Sequence, residues 1–398
     1  MPDAGVRYID EASIENMTVL LRDDLNVTLN PDSTIADDAR IQQSLPTIKF
    51  LLEKGNRLII MSHLGRPKGR DPQCSLKPVV QKLQDDLPGY TVTLVDDFLT
   101  ADPSIFKNQQ SREIFVLENI RYYPEEKNND PAFTKKLAAL AQVYVNDAFG
   151  VCHRADASVV GLPAEMPAYG GLLLKKEIKM ISRILQNPEK PLVAILGGAK
   201  ISTKINLIDR LMEIADHLIV GGGLANTFFS AMGYEIGKSF NQYEQVENAH
   251  RLLFAAKEKN TTITLPQDAV VGLPDKPEVA GQVKKVTELA KDDQILDIGP
   301  ESQAVFGTLI AKAKTIVWNG PVGYTENPEY RRGTDFIYYA ITQNTDAVSI
   351  VGGGDTLAAI SKKEYLDKIT HISTGGGAML EFIEKGSLPG IEALKHAY

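Results

Sequence analysis

Short apolar runs alternate with longer amphipathic stretches along the chain. In the first half these runs predict strands at Thr18–Leu21, Leu58–Ser62, Val92–Val95, Ile114–Leu117 and Val143–Val145. In the second half they predict strands at Leu192–Leu196, Leu218–Val220, Thr262–Leu265, Ile295–Ile298, Ile316–Trp318, Val348–Val351 and His371–Ser373. Intervening stretches suit helices, such as Ile41–Lys54, Leu76–Leu87 and Pro131–Ala141. This alternation predicts an α/β protein whose parallel sheets are covered by helices on both faces.

One stretch with helical periodicity, Leu172–Gln186, separates the two halves. Two glycines precede it and an Asn-Pro pair follows it, which is typical of a bounded connecting helix. We therefore expect two doubly wound, Rossmann-like parallel-sheet domains, 1–171 and 187–384, joined by this hinge helix.

Glycine-rich turns follow six of the predicted strands in the second half. They lie at 197–198, 221–223, 297–300, 319–321, 352–355 and 375–377. In open α/β sheets ligands bind outside the carboxyl ends of the strands, and glycine lets the backbone approach a ligand closely. We infer a nucleotide cleft along the edge that these turns form.

Two of these turns carry charged side chains. After Gly197-Gly198, the stretch Ala199–Ile205 is expected to open a helix on which Lys200 and Lys204 face the same way, an arrangement that suits a polyphosphate. An ordinary strand–helix turn with two solvated lysines is the alternative for this turn alone. Asp355 follows three glycines and is a natural Mg²⁺ ligand beside phosphates. The alternative is an N-cap, and both roles are compatible.

Of two common nucleotide-binding motifs, one is incomplete in this sequence and the other is absent from the start of each half. Gly233–Ser239 has the letters of a phosphate-binding loop, but only three residues separate its glycines and no predicted strand precedes it. Neither half opens with the Gly-x-Gly-x-x-Gly pattern of dinucleotide-binding domains, which weakens a dehydrogenase interpretation.

Arginine, rather than glycine, marks the strand ends of the first half. Arg22, Arg40, Arg66, Arg121 and Arg154 lie at or just after predicted strand ends, with His63 beside Arg66. Guanidinium groups match phosphate and carboxylate in bidentate geometry. One such arginine alone is better explained by a surface ion pair, but several on one sheet edge indicate a small, multiply anionic substrate. We interpret His63 as a binding residue, because no nucleophile motif accompanies it.

The composition limits the partners and the compartment. The 398 residues carry a formal net charge of −8, which argues against nucleic acid or an anionic membrane as the main partner. Only two cysteines occur, without zinc-ligand spacing, and the amino terminus has no apolar leader segment. These features predict a cytoplasmic protein without disulfides.

Taken together, the motifs resemble the phosphoglycerate kinase family over nearly the whole chain. The segments that carry the resemblance are His63–Gly69, Glu118–Glu126, Asn146–Gly150, Trp318–Gly323, Gly352–Thr356 and Ser373–Ala378. The resemblance implies a monomeric glycolytic and gluconeogenic enzyme that moves a phosphoryl group between MgATP and 3-phosphoglycerate, or between 1,3-bisphosphoglycerate and MgADP. It also implies that the tail 385–398 returns to the N-terminal domain.

The resemblance also implies roles for individual residues. The substrate residues would be Asp24, Leu25, Asn26, Arg40, His63, Leu64, Gly65, Arg66, Arg121 and Arg154. The nucleotide residues would be Gly198, Lys200, Lys204, Asn319, Pro321, Glu326, Gly353, Gly354, Asp355 and Thr356, with Asp355 on Mg²⁺. Because the acceptor is a carboxylate, ionised at neutral pH, no general base is required. Arg40, Lys200 and the N–H groups near Gly375 and Gly376 are expected to stabilise the charge on the transferring group.

The sequence departs from the common pattern of that family at a few positions. Thr203 stands where many members have an acid, and Tyr324-Thr325 replaces a more usual pair before Glu326. Asp156 stands where histidine is frequent, and Asp23 occupies a normally apolar position. Two other hypotheses remain open from the residues alone: a different nucleotide-dependent α/β enzyme such as a dehydrogenase, and a nucleotide-binding module that senses without reacting.

Overall fold

The structure, a computed structural model, describes residues 5–276, 279–362 and 364–397, except for the side chain of Asp355. The chain divides into two units, residues 1–179 with 387–398, and residues 180–386. Each unit contains one parallel sheet of six strands. The predicted α/β class with two parallel sheets is thereby confirmed.

The first unit contains eight strands within its described residues, 5–179 and 387–397. They are β1 (Thr18–Arg22), β2 (Thr28–Leu29), β3 (Ile35–Asp37), β4 (Arg57–Met61), β5 (Thr91–Val95), β6 (Glu113–Leu117), β7 (Val143–Asn146) and β8 (Ala168–Gly170). Six of them form the parallel sheet in the order β5-β6-β4-β1-β7-β8. The central strand β1 is buried along its whole length, which explains its unbroken apolar run. The short β8 and the antiparallel pair β2–β3 were not predicted.

The helices of this part of the chain cover the sheet. They are α1 (Ala39–Glu53), α2 (Lys77–Asp86), α3 (Ser104–Lys107), α4 (Pro124–Lys127), α5 (Pro131–Ala138), α6 (Leu162–Glu165) and α7 (Leu172–Gln186). Helix α7 has the predicted bounds, and the division between the units falls within it. Side chains of the first unit fix its amino end. The Leu172 N–H donates to Thr47 Oγ1 at 3.1 Å, and the Leu174 N–H donates to Asp147 Oδ1 at 3.0 Å.

The second unit has nine strands and seven helices among the described residues. The strands are β9 (Leu192–Leu196), β10 (His217–Val220), β11 (Thr262–Thr264), β12 (Asp268–Val271), β13 (Gln282–Lys285), β14 (Ile295–Ile298), β15 (Thr315–Asn319), β16 (Val348–Gly352) and β17 (His371–Ser373). The helices are α8 (Ile205–Leu211), α9 (Gly223–Ala231), α10 (Val246–Glu258), α11 (Pro300–Lys312), α12 (Arg332–Gln343), α13 (Gly354–Ala358) and α14 (Gly376–Lys385). The parallel sheet has the order β11-β10-β9-β15-β16-β17.

One predicted strand belongs to a different sheet. Ile295–Ile298 forms β14, but this strand pairs antiparallel with β12 in a separate three-stranded sheet. Its following turn at 297–300 therefore does not lie on the edge of the parallel sheet, and the expectation of six glycine turns on one edge is wrong for this turn. An apolar run marks burial without specifying the pairing partner, which explains the error.

The last helix, α15 (Pro389–Lys395), belongs to the first unit. The Gly390 N–H donates to the Cys152 carbonyl oxygen at 2.8 Å. Gly390 allows this approach, since a Cβ there would lie 2.7 Å from Val159 Cγ1. Within the described ranges, no helix combines the length and apolar character needed to cross a bilayer.

Candidate active site

The arginine-rich site of the first unit lies at the carboxyl edge of its sheet. Most of the predicted substrate residues are in loops that follow β1, β4, β6 and β7, and Arg40 comes from the first turn of α1. Because neighbouring parallel strands end at the same edge, residues far apart in sequence meet there.

Asp24 is the centre of this site. Its carboxylate is buried and pairs with the Arg40 guanidinium, and His63 Nδ1 lies 3.9 Å from its other oxygen. Burial opposes ionisation of Asp24, but Arg40, His63 and Arg22 outweigh that effect and lower the pKa of the carboxyl. Burial also lowers the pKa of His63 well below its usual value, although Asp24 opposes this. His63 is therefore a neutral imidazole at neutral pH.

The loop after β4 is held by residues from the segments that follow β1 and β6. Asn26 Oδ1 accepts a hydrogen bond from the Gly65 N–H at 2.8 Å, and Arg121 Nη1 donates to the Gly65 carbonyl at 2.9 Å. Asn119 aligns Arg121, because its side chain accepts from the Arg121 N–H and donates to the Leu64 carbonyl. Gly65 has a φ of +63°, which suits a residue without a side chain.

Guanidinium groups accumulate at this edge. Burial, followed by Arg154 and Arg22, lowers the pKa of Arg121 to about 10. The group stays protonated at neutral pH, but its cationic neighbours oppose that charge. Arg154 Nε is buried and has no hydrogen-bond partner among the described residues. Mutual repulsion among cations is relieved by a bound anion, so the edge is suited to a multiply charged anionic ligand.

Three predicted substrate residues are placed differently from the others. The side chains of Leu25 and Leu64 are buried, and both belong to the apolar core of the unit. Only their backbone groups could contact a ligand. Arg66 is exposed, and within the described residues its side chain has no hydrogen-bond or ion-pair partner.

Sequence reasoning missed the support beneath the site. Arg22 is completely buried, and its Nε donates to Ser158 Oγ at 2.8 Å across 136 residues of sequence. Ser158 in turn bonds to the buried Glu126 carboxylate. Arg22 Nη1 also donates to the Asp23 carbonyl, and Nη2 lies 3.4 Å from His63 Nδ1. The sequence places Arg22 at a predicted strand end, but nothing in it indicates the contact with Ser158.

A buried pair of acids lies directly behind the site. Asp23 and Asp147 are both 0% exposed, and each has one carboxylate oxygen without a hydrogen-bond partner among the described residues. Burial and then the neighbouring Asp147 raise the pKa of Asp23 to about 8. Burial raises the pKa of Asp147 to about 6, although donors from Thr47 and α7 oppose the shift. Two such carboxyls in one apolar environment hold at least one proton near neutral pH.

The candidate nucleotide site of the second unit is built from backbone. The turns after β9, β10 and β15 enclose a cavity of about 400 Å³. Its lining includes the predicted residues Gly198, Pro321 and Glu326, together with the unpredicted Phe240 and Leu296. These last two give the cavity apolar walls, as expected for a site that receives a flat ring. Phe240 is an exposed residue of a loop and carries no periodic signal, whereas Leu296 belongs to the predicted run Ile295–Ile298, whose place beside this cavity the sequence does not specify.

The strand ends around this cavity pack backbone against backbone. The Gly197 N–H donates to the Asn319 carbonyl at 2.9 Å, and the Gly198 N–H donates to the Pro321 carbonyl at 2.8 Å. A Cβ on Gly197 would lie 2.1 Å from the Pro321 oxygen, which leaves no space for a side chain. These glycines are therefore required by close packing as well as by any ligand.

The lysines at this edge do not share a helix face, which corrects the expectation for Ala199–Ile205. A short 3₁₀ turn covers Ile201–Thr203, and α8 begins only at Ile205. Lys200 has extended backbone angles and is exposed. Lys204 is half-buried, and its Nζ donates to Asn319 Oδ1 at 2.6 Å. The helix begins only after Lys204, so the helical spacing of the two lysines does not apply.

Other predicted nucleotide residues form hydrogen bonds within the second unit. Thr356 Oγ1 donates to the Gly352 carbonyl at 2.7 Å and accepts from the Gly320 N–H at 2.8 Å. Asn319 Nδ2 donates to the same Gly352 carbonyl. The Thr356 hydroxyl and the Asn319 amide therefore hold β15 and β16 together at their carboxyl ends, so these groups have little capacity left for a ligand.

Gly353 and Gly376 meet at the end of the sheet, where a Cβ on Gly376 would lie 2.3 Å from Gly353 Cα. Gly354 and Gly377 instead face open space, and Gly375 precedes α14. The metal-binding role expected of Asp355 falls on a side chain outside the described part of the structure. Among the described residues, no group of three or more acidic, histidine or cysteine side chains could hold a metal ion.

Comparison with known proteins agrees over the whole chain. Residues 9–386 match the family model described as "Phosphoglycerate kinase". The chain belongs to the phosphoglycerate kinase family. A phosphoglycerate kinase of Dictyoglomus turgidum is 46% identical over 386 residues, with 97% of each chain covered. One of Koribacter versatilis is 44% identical over 397 residues, covering 97% of this chain and 98% of its own. The solved phosphoglycerate kinase structure from Coxiella burnetii is 39% identical and matches with a TM-score of 0.85, covering 98% of each chain.

Membership of the phosphoglycerate kinase family decides between the hypotheses that the residues left open. The chain is an enzyme, a transferase with a carboxyl group as phosphoryl acceptor. The dehydrogenase and the purely sensing module are therefore set aside. Gly233–Ser239 is not a phosphate-binding loop, because it follows helix α9 and its Lys238 pairs with Asp292 at 2.7 Å.

Proposed function

We propose that the chain catalyses direct, in-line phosphoryl transfer between ATP and 3-phosphoglycerate, and the reverse transfer from 1,3-bisphosphoglycerate to ADP. The observation that carries this proposal is the accumulation of guanidinium groups around Asp24 and Gly65 at one sheet edge. A three-carbon acid with one or two phosphate groups supplies negative charge that compensates the positive charge of these guanidinium groups.

The first unit binds the triose substrate. Arg121 and Arg154 provide fixed cations, and the neutral His63 provides a ring nitrogen for a hydrogen bond. His63 does not act as a base in this scheme, because the acceptor carboxylate is already ionised. Asp24 serves mainly to hold Arg40 in place, since its carboxylate is buried against that guanidinium.

The second unit binds the nucleotide. The 400 Å³ cavity receives the base and ribose, with Glu326 at its rim, and the phosphates lie beside the glycine turns that follow the strands. Magnesium fits this site as an ion that is held mainly by nucleotide phosphates and by one protein carboxylate. Asp355 would supply that carboxylate, since it directly follows Gly354, which faces open space. When bound, Mg²⁺ neutralises phosphate charge.

Catalysis depends on alignment and charge stabilisation. Arg40, Lys200 and the backbone N–H groups near Gly375 and Gly376 stabilise the transferring group in this proposal. The reacting atoms must come within about 3–3.5 Å, so the ligands of the two units have to meet during turnover. We propose that domains 1–171 and 187–384 bend about helix α7 to achieve this. We further propose a monomer, as the likeness to the family suggests, acting in the cytoplasm.

The decisive experiment is ATP consumption by the purified protein with 3-phosphoglycerate, coupled to reduction of the 1,3-bisphosphoglycerate. We expect rapid turnover that disappears without the triose or without Mg²⁺. A folded sample that binds MgATP but turns over nothing would contradict the proposal. Asp355→Ala is expected to raise the Mg²⁺ concentration for half activity by about tenfold or more. An unchanged Mg²⁺ titration would contradict the metal role of this residue.

A further inference from the structure

A second cavity, of about 550 Å³, lies in the first unit at the opposite edge of the sheet from the substrate residues. Thr18 and Arg57, which line it, are the first residues of β1 and β4 and are partners in the strand register. Gln142, also in the lining, directly precedes β7 and accepts the Thr18 N–H on its side-chain oxygen at 2.9 Å. The cavity thus opens at the amino ends of strands whose carboxyl ends lead to the arginine-rich site.

The walls of this cavity are apolar and preformed. The rings of Phe98 and Phe106 are buried, and the segment after α5 contributes Leu140. Phe98 packs edge-on against Phe133 with ring centroids 5.6 Å apart. Phe106 packs edge-on against Phe115 of β6 with ring centroids 5.8 Å apart. Such packing fixes the walls before any ligand arrives.

The charged residues that line the cavity are all positive. Arg57, Lys107 and Lys136 line it, and the lining contains no acidic residue. Within residues 5–276, 279–362 and 364–397, none of these three cations has an ion-pair partner. Two acids directly precede lining residues in the sequence, but both have other partners. Asp97 bonds to groups of its own loop and to the Tyr123 hydroxyl and lies 3.9 Å from Arg70, and Asp102 bonds to Ser104. Three unpaired cations at one cavity are notable in a chain of net charge −8.

One of these cations is held in position. Arg57 is half-buried, and its Nη1 donates to the Gln109 carbonyl at 3.4 Å. Gln109 is itself buried and bonded through its side chain to the carbonyl oxygens of Leu58 and Glu113. The guanidinium therefore has a defined location at the cavity, and its other N–H groups have no partner among the described residues.

We propose that this cavity binds an amphipathic organic anion: an aromatic or short aliphatic body carrying a carboxylate, sulfonate or phosphate group. The volume lies within the range of about 300–1,000 Å³ that is typical of small-molecule sites. The body packs between Phe98, Phe106 and Leu140, and the anionic group meets Arg57, Lys107 and Lys136. The site is separate from the triose and nucleotide sites and does not depend on the proposed function.

The test uses the full-length protein and 8-anilinonaphthalene-1-sulfonate, which combines an aromatic body with one sulfonate. Fluorescence titrations are made with saturating MgADP, so that the nucleotide cavity is occupied. We expect saturable binding to one site, weakened about tenfold in K107Q/K136Q. Ala139→Trp should abolish this binding, because Ala139 is exposed at the cavity and the indole fills it.

A matched control removes two charges without touching the cavity. Lys127 and Lys135 are exposed lysines close in sequence to the lining but outside it, so K127Q/K135Q should bind the dye within about twofold of the parent. Thermal unfolding of each variant checks that the fold is kept. Equal weakening in both double variants, unchanged binding in A139W, or no saturable binding under MgADP would each overturn the proposal.

Discussion

Side chains form the candidate site at the sheet edge of the first unit, whereas backbone forms the candidate site at the sheet edge of the second unit. In the first unit, side chains from loops and α1 position the site. Asp24 forms an ion pair with Arg40, and Arg121 donates a hydrogen bond to the Gly65 carbonyl. In the second unit, glycine backbones approach until no side chain fits, as at Gly197 and Gly376. The first edge therefore depends on charge and protonation, and the second on close packing. Substitutions should reveal this difference.

The largest effects are expected from the two cations assigned to the transferring group. Arg40→Ala and Lys200→Ala should each lower kcat by about 10²-fold or more, with milder effects on KM, because both act chiefly in the transition state. Arg40→Ala should in addition lower the melting temperature, since it leaves the buried Asp24 carboxylate unpaired. Lys200 is exposed, so its variant should keep normal stability.

Steady-state kinetics in both directions and thermal melts measure these effects. Lys54→Ala and Lys238→Ala are matched controls, because each removes an exposed cation whose ion-pair partner, Glu15 or Asp292, is not one of the assigned residues. Their kcat values should stay within about twofold of the parent. Nearly normal kcat in either test variant would contradict the role assigned to it.

Neighbouring glycines of α14 offer the sharpest test of the packing argument. A Cβ on Gly376 would clash with Gly353 at 2.3 Å, whereas a Cβ on Gly377 meets nothing within 4 Å. Gly376→Ala should lower kcat/KM for MgATP by about tenfold or more and reduce stability. Gly377→Ala should be neutral, or stabilise the helix by about 0.5–1 kcal/mol.

The pair is compared by nucleotide kinetics and by urea unfolding. Both variants add the same methyl group to the same helix, so a general intolerance of alanine in this segment would affect them equally. Similar losses in the two proteins would show that the contact at Gly353 does not set the geometry of this edge.

The first unit should show a pH response that originates behind its site. Burial raises the pKa of Asp23 to about 8, above its unfolded value, so the folded state holds an extra proton between about pH 4 and 8. The free energy of unfolding therefore falls as the pH rises through this window. Asp23→Asn keeps the shape without the charge, and should flatten the pH dependence and stabilise the protein above neutral pH.

Urea unfolding from pH 5 to 9 measures this response. Asp10→Asn is a suitable control, because Asp10 lies in a partly exposed pair with Lys175. The slope that remains in the Asp23 variant should come from Asp147 and from Asp297 of the second unit, whose pKa burial raises to about 7. An Asp23 variant with the parent's full slope would exclude a proton on this residue.

The sequence predicted those parts of both sites that depend on strand ends. Buried strands such as β1 leave continuous apolar runs, and the polar or glycine residues that follow them mark the functional edge. It could not predict that Ile295–Ile298 pairs in a separate antiparallel sheet, because a run of four apolar or mixed residues does not specify its partner. It also could not predict the bond from Arg22 to Ser158, which joins residues 136 positions apart and depends on the finished fold.

The smallest effect is expected where a side chain at the second edge faces solvent. Thr203 is exposed, and its hydroxyl donates to the Lys200 carbonyl at 3.0 Å, so it touches the turn without bracing the sheet. Thr203→Asp introduces an exposed acid beside Lys200, and should change the KM for MgATP by no more than about threefold, with kcat unchanged. The shift should shrink at high salt, because exposed charges are screened. A tenfold change in kcat would instead place Thr203 among the residues that set the position of Lys200.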